Sequence, residues 1–371
     1  MKFTIKKKTF IDELNIVTRS IDSFSPMPAL SGIKMETDGN ELVLTGSDGV
    51  VSIHSTIQDV EIYESGCVVL ESKYLLDVVK KSSGDEIEID VKDTQADIYA
   101  HRSKIKLNGM EPDEYPDIDF DVSAFDFHIE LERLKDTYDF SSYASTNDAK
   151  TTRPVLKGIN FHAVDGMLYM NGSDSIRLSR IQTEIGIGDF SVTIPKKVLD
   201  VIKLIKEKAM VGVCIDKSTV IFKIKNMVIK SGFIGGNYPD VSRIIPGSFT
   251  SSLKVNRTCI LEAIDRASLI KVDGINAIRF KLSKDACILE THQNEIGNTY
   301  ESMESFEYEG NGDEFVLNGQ FLSDAIKHFN SESVVIRISG KNSSGNYKPF
   351  LIASEKETDR IAVLTGLRDL R

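Results

Sequence analysis

The heptapeptide LTGSDGV (Leu44–Val50) returns as MNGSDSI (Met170–Ile176), with Gly46 and Gly172 126 positions apart. What precedes each copy also matches: MPALSGIKMETDGNELVL (Met27–Leu44) parallels RPVLKGINFHAVDGMLYM (Arg153–Met170). Each has Pro, Leu and Gly, then an alternating strand, a D-G hairpin turn and a second strand. A third, fainter copy is DGINAIRFKLSKDACILETHQN (Asp273–Asn294). EYPDI (Glu114–Ile118) likewise returns as NYPDV (Asn237–Val241), 123 residues on. A period of about 120 residues, used three times, confines the chain to copies of one module.

Each module reads as two half-modules. KFTIKKKTFIDELNIVTRSI (Lys2–Ile21) is a strand and then a helix, with Thr9 as the predicted N-cap. Its apolar residues Phe10, Leu14, Val17 and Ile21 keep one helical face. The same unit recurs at Gly66–Ser82, Phe125–Phe140, Phe190–Lys206, Ser252–Ser268 and Asp313–Phe329. Pro195 fits a first helical position, and Leu322, Ala325, Ile326 and Phe329 share a face. Alternating stretches such as DEIEIDV and SVVIRIS follow the helices. The expected fold is α+β: six β-α-β-β-β units paired into three repeated domains, 1–122, 123–249 and 250–371. The breaks fall in DIDFDVS and PGSFTSS. Tyr-Pro-Asp closes the first two domains, where Pro suits a strand exit.

Composition narrows the function. No apolar run approaches the roughly 18 residues of a membrane span, and MKFTIKKKTF has charge without an apolar leader core. Cys67, Cys214, Cys259 and Cys287 are scattered, arguing against a zinc site or disulfide framework and for a reducing cytoplasm. The histidines His54, His101, His128, His162, His292 and His328 form no metal motif, and nucleophile elbows, phosphate loops and dinucleotide fingerprints are absent. No cofactor, metal or catalysis is expected. The net charge of −11 would ordinarily disfavour nucleic acid.

In this order and at these offsets, MKFTI, GSDG, R-x-x-L-x-G and YPD-x-x-R-x-x-P make the whole chain resemble the bacterial DNA sliding clamp, the beta subunit of the replicative DNA polymerase. The resemblance implies a head-to-tail homodimeric ring, helices inside and sheets outside. Double-stranded DNA would run through the hole without sequence preference, and the ring would tether polymerase, clamp-loader and repair proteins through short apolar peptides.

The charge objection then has an answer. The expected helices (9–21, 72–82, 130–143, 195–208, 256–271 and 318–330) carry a net +3, leaving −14 on the rest. A mildly basic lining attracts phosphates without gripping them. Lys73, Lys80, Lys81, Arg153, Lys196, Lys197 and Lys203 are the expected DNA-facing cations.

By resemblance, a peptide pocket lies between the second and third domains. Leu156, Ser173, Arg177 and Leu178 supply one side; Pro239, Arg243 and Ile244 supply another; Pro349, Phe350 and Leu364 complete it. That is an apolar slot rimmed by two arginines. Two departures bear on its peptide preference. Ser175 and Ile176 stand where the family commonly has Gly and an aromatic or His, and the tail Val363–Arg371 lacks a Pro. Phe24 stands in a loop where the family often has a basic DNA contact. The implied dimer seam uses Arg102, Lys104 and Ile105 of the first domain against Leu269, Ile270, Glu295 and Glu301 of the third. Two rival readings are a hydrolase on a repeated β-rich scaffold and a clamp paralogue that binds proteins without encircling DNA. Motif absence argues against the first; retention on circular DNA separates the second.

Overall fold

All six strand–helix units form in the computed structural model, which describes every residue except Ser23, Val272, Asp273, Asn294 and 369–371. The helices are α1 (Lys7–Val17), α2 (Ser72–Lys81), α3 (Leu131–Ser142), α4 (Lys196–Leu204), α5 (Arg257–Ala267) and α6 (Gly319–Lys327). Each springs directly from a strand and leads into three antiparallel strands. Two extra strands, Val60–Glu64 and Phe306–Glu309, follow the first units of the first and third repeats.

The helices are shorter than their sequence patterns predict. In α1 the N-cap is Lys6, at the end of strand Lys2–Lys6, so Thr9 lies inside the first turn and caps nothing. A 3-10 turn, Thr18–Ser20, then carries Ile21 off the helix. Pro195 is the N-cap of α4 rather than its first residue, with extended φ −58° and ψ 135°. Proline suits that place too, because its fixed φ matches and no N–H is lost from a ladder. The apolar spacing reads correctly: Phe10, Leu14 and Val17 are buried, as are Leu322, Ala325 and Ile326.

Two compact units form: Met1–Lys135 with Ile194–Phe233, and Asp136–Thr193 with Ile234–Arg371. Neither matches one repeat, because sheets run across repeat boundaries. In the first unit, strand Val51–Ile57, third after α1, pairs with Met227–Gly232, third after α4. That pairing fuses four strands of each repeat into an eight-stranded sheet. In the second unit, Arg177–Glu184, third after α3, pairs with Arg360–Leu364, third after α6, inside a nine-stranded sheet. The remaining third strands stay at sheet edges. Ser103–Asn108, third after α2, ends a five-stranded sheet of the first unit; Tyr300–Ser302, third after α5, ends a four-stranded sheet of the second.

The two repeated words lock into each other. Gly46 leaves room for the end of α1, since a Cβ there would lie 2.9 Å from the Val17 carbonyl oxygen. Gly172 does the same for α3, where a Cβ would lie 1.8 Å from the Ser141 carbonyl oxygen. The aspartate that follows caps its own turn: Asp48 Oδ1 accepts from the N–H groups of Val50 and Val51, Asp174 Oδ1 from those of Ile176 and Arg177. Each Tyr-Pro-Asp tyrosine then donates back to this strand, Tyr115 to the Thr45 carbonyl and Tyr238 to the Asn171 carbonyl, both at 3.4 Å. The repeated words are thus parts of one joint, built twice.

Candidate functional site

The pocket residues fall on both faces of the nine-stranded sheet. Strand alternation sends Leu178 and its ladder partner Val363 to one face, Arg177 and its partner Leu364 to the other. On the first face Leu178, Val241 and Val363 form an apolar cluster, and Tyr238, Ile244 and Ile245 pack against it. Of the expected pocket residues, the structure brings Leu178 and Ile244 together here. Pro239 belongs to the same Tyr-Pro-Asp segment and is half-buried. The 3-10 turn Val241–Arg243 is capped by Asp240, whose side chain accepts from the Ser242 N–H at 3.1 Å. The Ser242 hydroxyl and N–H, together with Arg243, hold the Asp240 carboxyl below its ordinary range. Arg243 projects from this turn, its side chain 85% exposed and 2.9 Å from Asp240.

Arg177 is not a second rim arginine. Its Nε lies 2.9 Å from Asp174, its Nη1 lies 2.8 Å from Asp324 of α6, and its guanidinium sits 4.3 Å from the Phe321 ring centroid. Two carboxylates already match its charge, so it braces the sheet against α6. Leu364 and Phe350 are opposite each other in the next ladder and are fully buried. Phe350 packs against Phe315, ring centroids 4.5 Å apart. These two therefore belong to core beneath the site. Leu156 is buried in the 3-10 turn Pro154–Lys157. The Ser173 hydroxyl donates to the Arg177 carbonyl at 2.8 Å and closes the turn. The Pro349 carbonyl accepts from the Ser339 hydroxyl at 2.8 Å. Sequence reading missed Val363, Tyr238, Val241 and Ile245; the clue was the period-two alternation of IAVLT, which places Val363 and Leu364 on opposite faces.

Among the expected DNA-facing cations, Lys73, Lys80, Lys81, Arg153 and Lys203 are exposed. Lys196 and Lys197 are half-buried. Lys197 is committed to an ion pair with Asp48 of the first GSD turn. Burial works against the Asp48 carboxylate, but Lys197 and the Val51 and Val50 N–H groups hold it below the usual range. With the observed boundaries the six helices carry 0, +2, −1, +2, 0 and 0, again +3 in total. The positive charge concentrates on α2 and α4.

At the expected seam, Ile105 and Leu107 are half-buried on edge strand Ser103–Asn108, whose other residues are exposed. Arg102 is exposed beside it, and Lys104 bridges to Asp97 at 2.9 Å. Around edge strand Tyr300–Ser302, Leu269 is 79% exposed and Tyr300 63% exposed. Ile296, which sequence reading overlooked, is 82% exposed. Ile270 is half-buried and Glu295 exposed. Glu301 is already paired with Arg266 of α5 at 2.8 Å, so it is not a spare rim charge. The third repeat copy touches Asp273 and Asn294, and the expected tail runs to 371; those ends lie outside the described residues.

Among the described residues, no group of three or more His, Cys, Asp or Glu is placed to hold a metal ion, and no helix is long and apolar enough to cross a membrane.

Family models of the DNA polymerase III beta subunit match in chain order: the N-terminal domain over residues 1–119, the central domain over 129–240 and the C-terminal domain over 242–364. The chain is 31% identical to the beta sliding clamp of Staphylococcus epidermidis, covering 98% of each chain. It is also 31% identical to that of Halalkalibacterium halodurans, covering 99% of this chain and all of the relative. The crystal structure of the Bacillus subtilis DNA polymerase sliding clamp superposes with a TM-score of 0.92 at 27% identity, covering 100% of this chain and 99% of that one.

Proposed function

This chain belongs to the DNA polymerase III beta subunit family, the sliding clamps, and on that premise we propose that two copies close head to tail into a ring around duplex DNA. A sliding clamp is a processivity factor, and this chain serves replication in that capacity rather than as an enzyme. The three domains are taken as 1–122, 123–249 and 250–371.

The observation that carries the ring is the fate of the third strands. Two pairs of them join repeat to repeat through antiparallel ladders within the chain. The two left over, Ser103–Asn108 and Tyr300–Ser302, are at opposite ends of the repeat order. Joining each to its complement on a second copy extends the rule already used twice and leaves no unpaired edge of this kind. Ile105 and Leu107 meet Leu269, Ile270, Ile296 and Tyr300 in that seam. Arg102 faces the acidic rim that includes Glu295.

Helices α1–α6 line the hole, with α2 and α4 supplying most of the attraction to phosphate through Lys73, Lys80, Lys81, Lys196 and Lys203. Arg153 adds to that lining, while Lys197 divides its charge with Asp48. A lining of net +3 holds DNA loosely, which sliding requires; topology rather than affinity keeps the ring on. Polymerase and clamp-loader subunits dock by short peptides on the cluster of Leu178, Val241, Val363, Tyr238, Ile244 and Ile245. Arg243 is the exposed cation at its rim, paired on one side with Asp240, and selects peptides with an acidic or polar neighbour to their apolar anchors. The cytoplasm is the compartment that fits these partners and four free thiols.

Primer extension tests this function. With a clamp loader, ATP and a replicative polymerase on singly primed circular DNA, adding this protein should lengthen the products of one binding event by tenfold or more, on the order of the affinity gained by tethering. Product lengths that do not change would remove the clamp reading.

A further inference from the structure

We propose that the cavity beneath the Tyr238–Ser242 segment is a second binding site, one that takes a peptide-type C-terminus: a carboxylate and an N–H carried on the same carbon. The floor is a transverse row across three neighbouring strands. Asn160 stands opposite Asn171, and Asn171 opposite Arg180. Residues directly opposed in a ladder share a face, so the three side chains form one polar band. Tyr238, Pro239, Asp240, Val241 and Ser242 line one side, His162 and Ser191 another, and the cleft between them holds about 260 Å³.

The hydrogen-bonding capacity of the row is not used up. Asn160 is satisfied: its Nδ2 donates to the Ser191 hydroxyl at 3.1 Å and the Val192 carbonyl at 3.2 Å, and its Oδ1 accepts from Asn171 Nδ2 at 3.1 Å. Asn171 is fully buried, yet its Oδ1 receives no donor. Next to it, the half-buried Arg180 guanidinium lies 3.8 Å from the Tyr169 ring centroid and feels the Asp240 carboxylate across the cavity, but no carboxylate among the described residues reaches ion-pair distance. An orphaned buried acceptor beside a guanidinium with no carboxylate at ion-pair distance is an arrangement that native interiors avoid.

These two needs select the ligand. Guanidinium is matched best by a carboxylate, which it can bind through two parallel hydrogen bonds. The Asn171 oxygen needs an N–H. A bare oxyanion such as sulfate would bring only acceptor oxygens to Asn171 Oδ1, so it fits only half of the site. The C-terminal residue of a peptide carries its carboxylate and its amide N–H on one Cα, and so offers both groups at adjoining positions. The volume lies just under the roughly 300 Å³ at which small-molecule pockets begin, so one or two residues fill it. The Tyr238–Ser242 side is also the segment that leads into the turn of Arg243 and Ile244. A ligand held under it would brace that turn. This inference stands apart from the clamp reading, since it rests on the cavity alone.

Titration calorimetry of the full-length protein tests it with two probes, glycylglycine and glycylglycinamide, which differ only in the carboxylate. Glycylglycine should bind with a dissociation constant of about 1 mM or tighter, and the amide roughly tenfold more weakly. Arg180→Gln should weaken glycylglycine to the level of the amide. Asn171→Leu, which replaces the orphaned carboxamide by an apolar isostere, should weaken both probes. Melting temperatures within a few degrees of the parent would show each variant folded, with Arg180→Met as the substitute if Arg180→Gln is not. The proposal is overturned by no binding of glycylglycine at about 20 mM, or by equal binding of the two probes. Binding that a folded Arg180 variant leaves unchanged would overturn it equally.

Discussion

Ser175 occupies the turn position that Gly49 fills in the first repeat, and both have positive φ, +78° and +87°. A side chain there pays a steric penalty that glycine escapes, about 1–2 kcal/mol, partly offset by the larger conformational freedom of glycine in the unfolded chain. Ser175→Gly should therefore stabilise the protein by about 0.5–1 kcal/mol, read as a raised urea midpoint at unchanged slope. A lowered midpoint would show that the Ser173–Ser175 turn is not strained. The departure itself was visible in the sequence as GSDS against GSDG; the left-handed backbone that gives it meaning was not. The same divide holds for the charged residues. Arg177, Lys197 and Glu301 are recognisable in the sequence as charged side chains, but their partners Asp324, Asp48 and Arg266 lie 147, 149 and 35 residues away. Only the folded ladder brings them into range, and it turns each expected free charge into a brace.

Helix starts show how the same half-module tolerates different local chemistry. In the third repeat, Asn256 caps α5 and Asn318 caps α6, each accepting two backbone N–H groups. Lys6, Glu71 and Pro195 stand at the N-caps of α1, α2 and α4, with no side-chain bond. Because every helix springs straight from a strand, the strand fixes the start and a cap only adds to it. Asn318→Ala should destabilise by about 1 kcal/mol, the usual contribution of such a cap, and leave the fold intact. Chemical denaturation at constant slope measures it, and a loss below about 0.3 kcal/mol would mean the strand alone secures the helix. Periodicity made the six helices and most strands legible, since Phe10, Leu14 and Val17 or Leu322, Ala325 and Ile326 can face a core in only one way. It also held the answer to which pocket residues share a face, through the alternation of Arg177 with Leu178 and Val363 with Leu364.

At the scale of the whole molecule, the repeat was legible and its joints were not. Three copies of a module say nothing about which strand meets which; that depends on edges left unpaired by local hairpins. Once Val51–Ile57 is seen paired with Met227–Gly232, and Arg177–Glu184 with Arg360–Leu364, the two third strands still at sheet edges, Ser103–Asn108 and Tyr300–Ser302, specify the proposed seam. Leu269→Asp or Ile105→Asp should weaken self-association at least tenfold, since each removes an apolar contact of about 1.5–3 kcal/mol and adds a charge. Sedimentation equilibrium would read this as a shift from twice the 41.3 kDa chain mass towards a single chain. An unshifted mass for both variants would place the seam elsewhere. Encirclement itself is tested most directly on closed DNA. Labelled protein is loaded onto nicked circular DNA with a clamp loader and ATP, the circle is then cut with a restriction enzyme, and retention is followed at moderate salt. A ring stays on the circle and runs off the ends of the linear product, because ordinary contacts do not sense ends. Equal retention on circular and cut DNA, with a known clamp behaving as a ring alongside, would contradict the account.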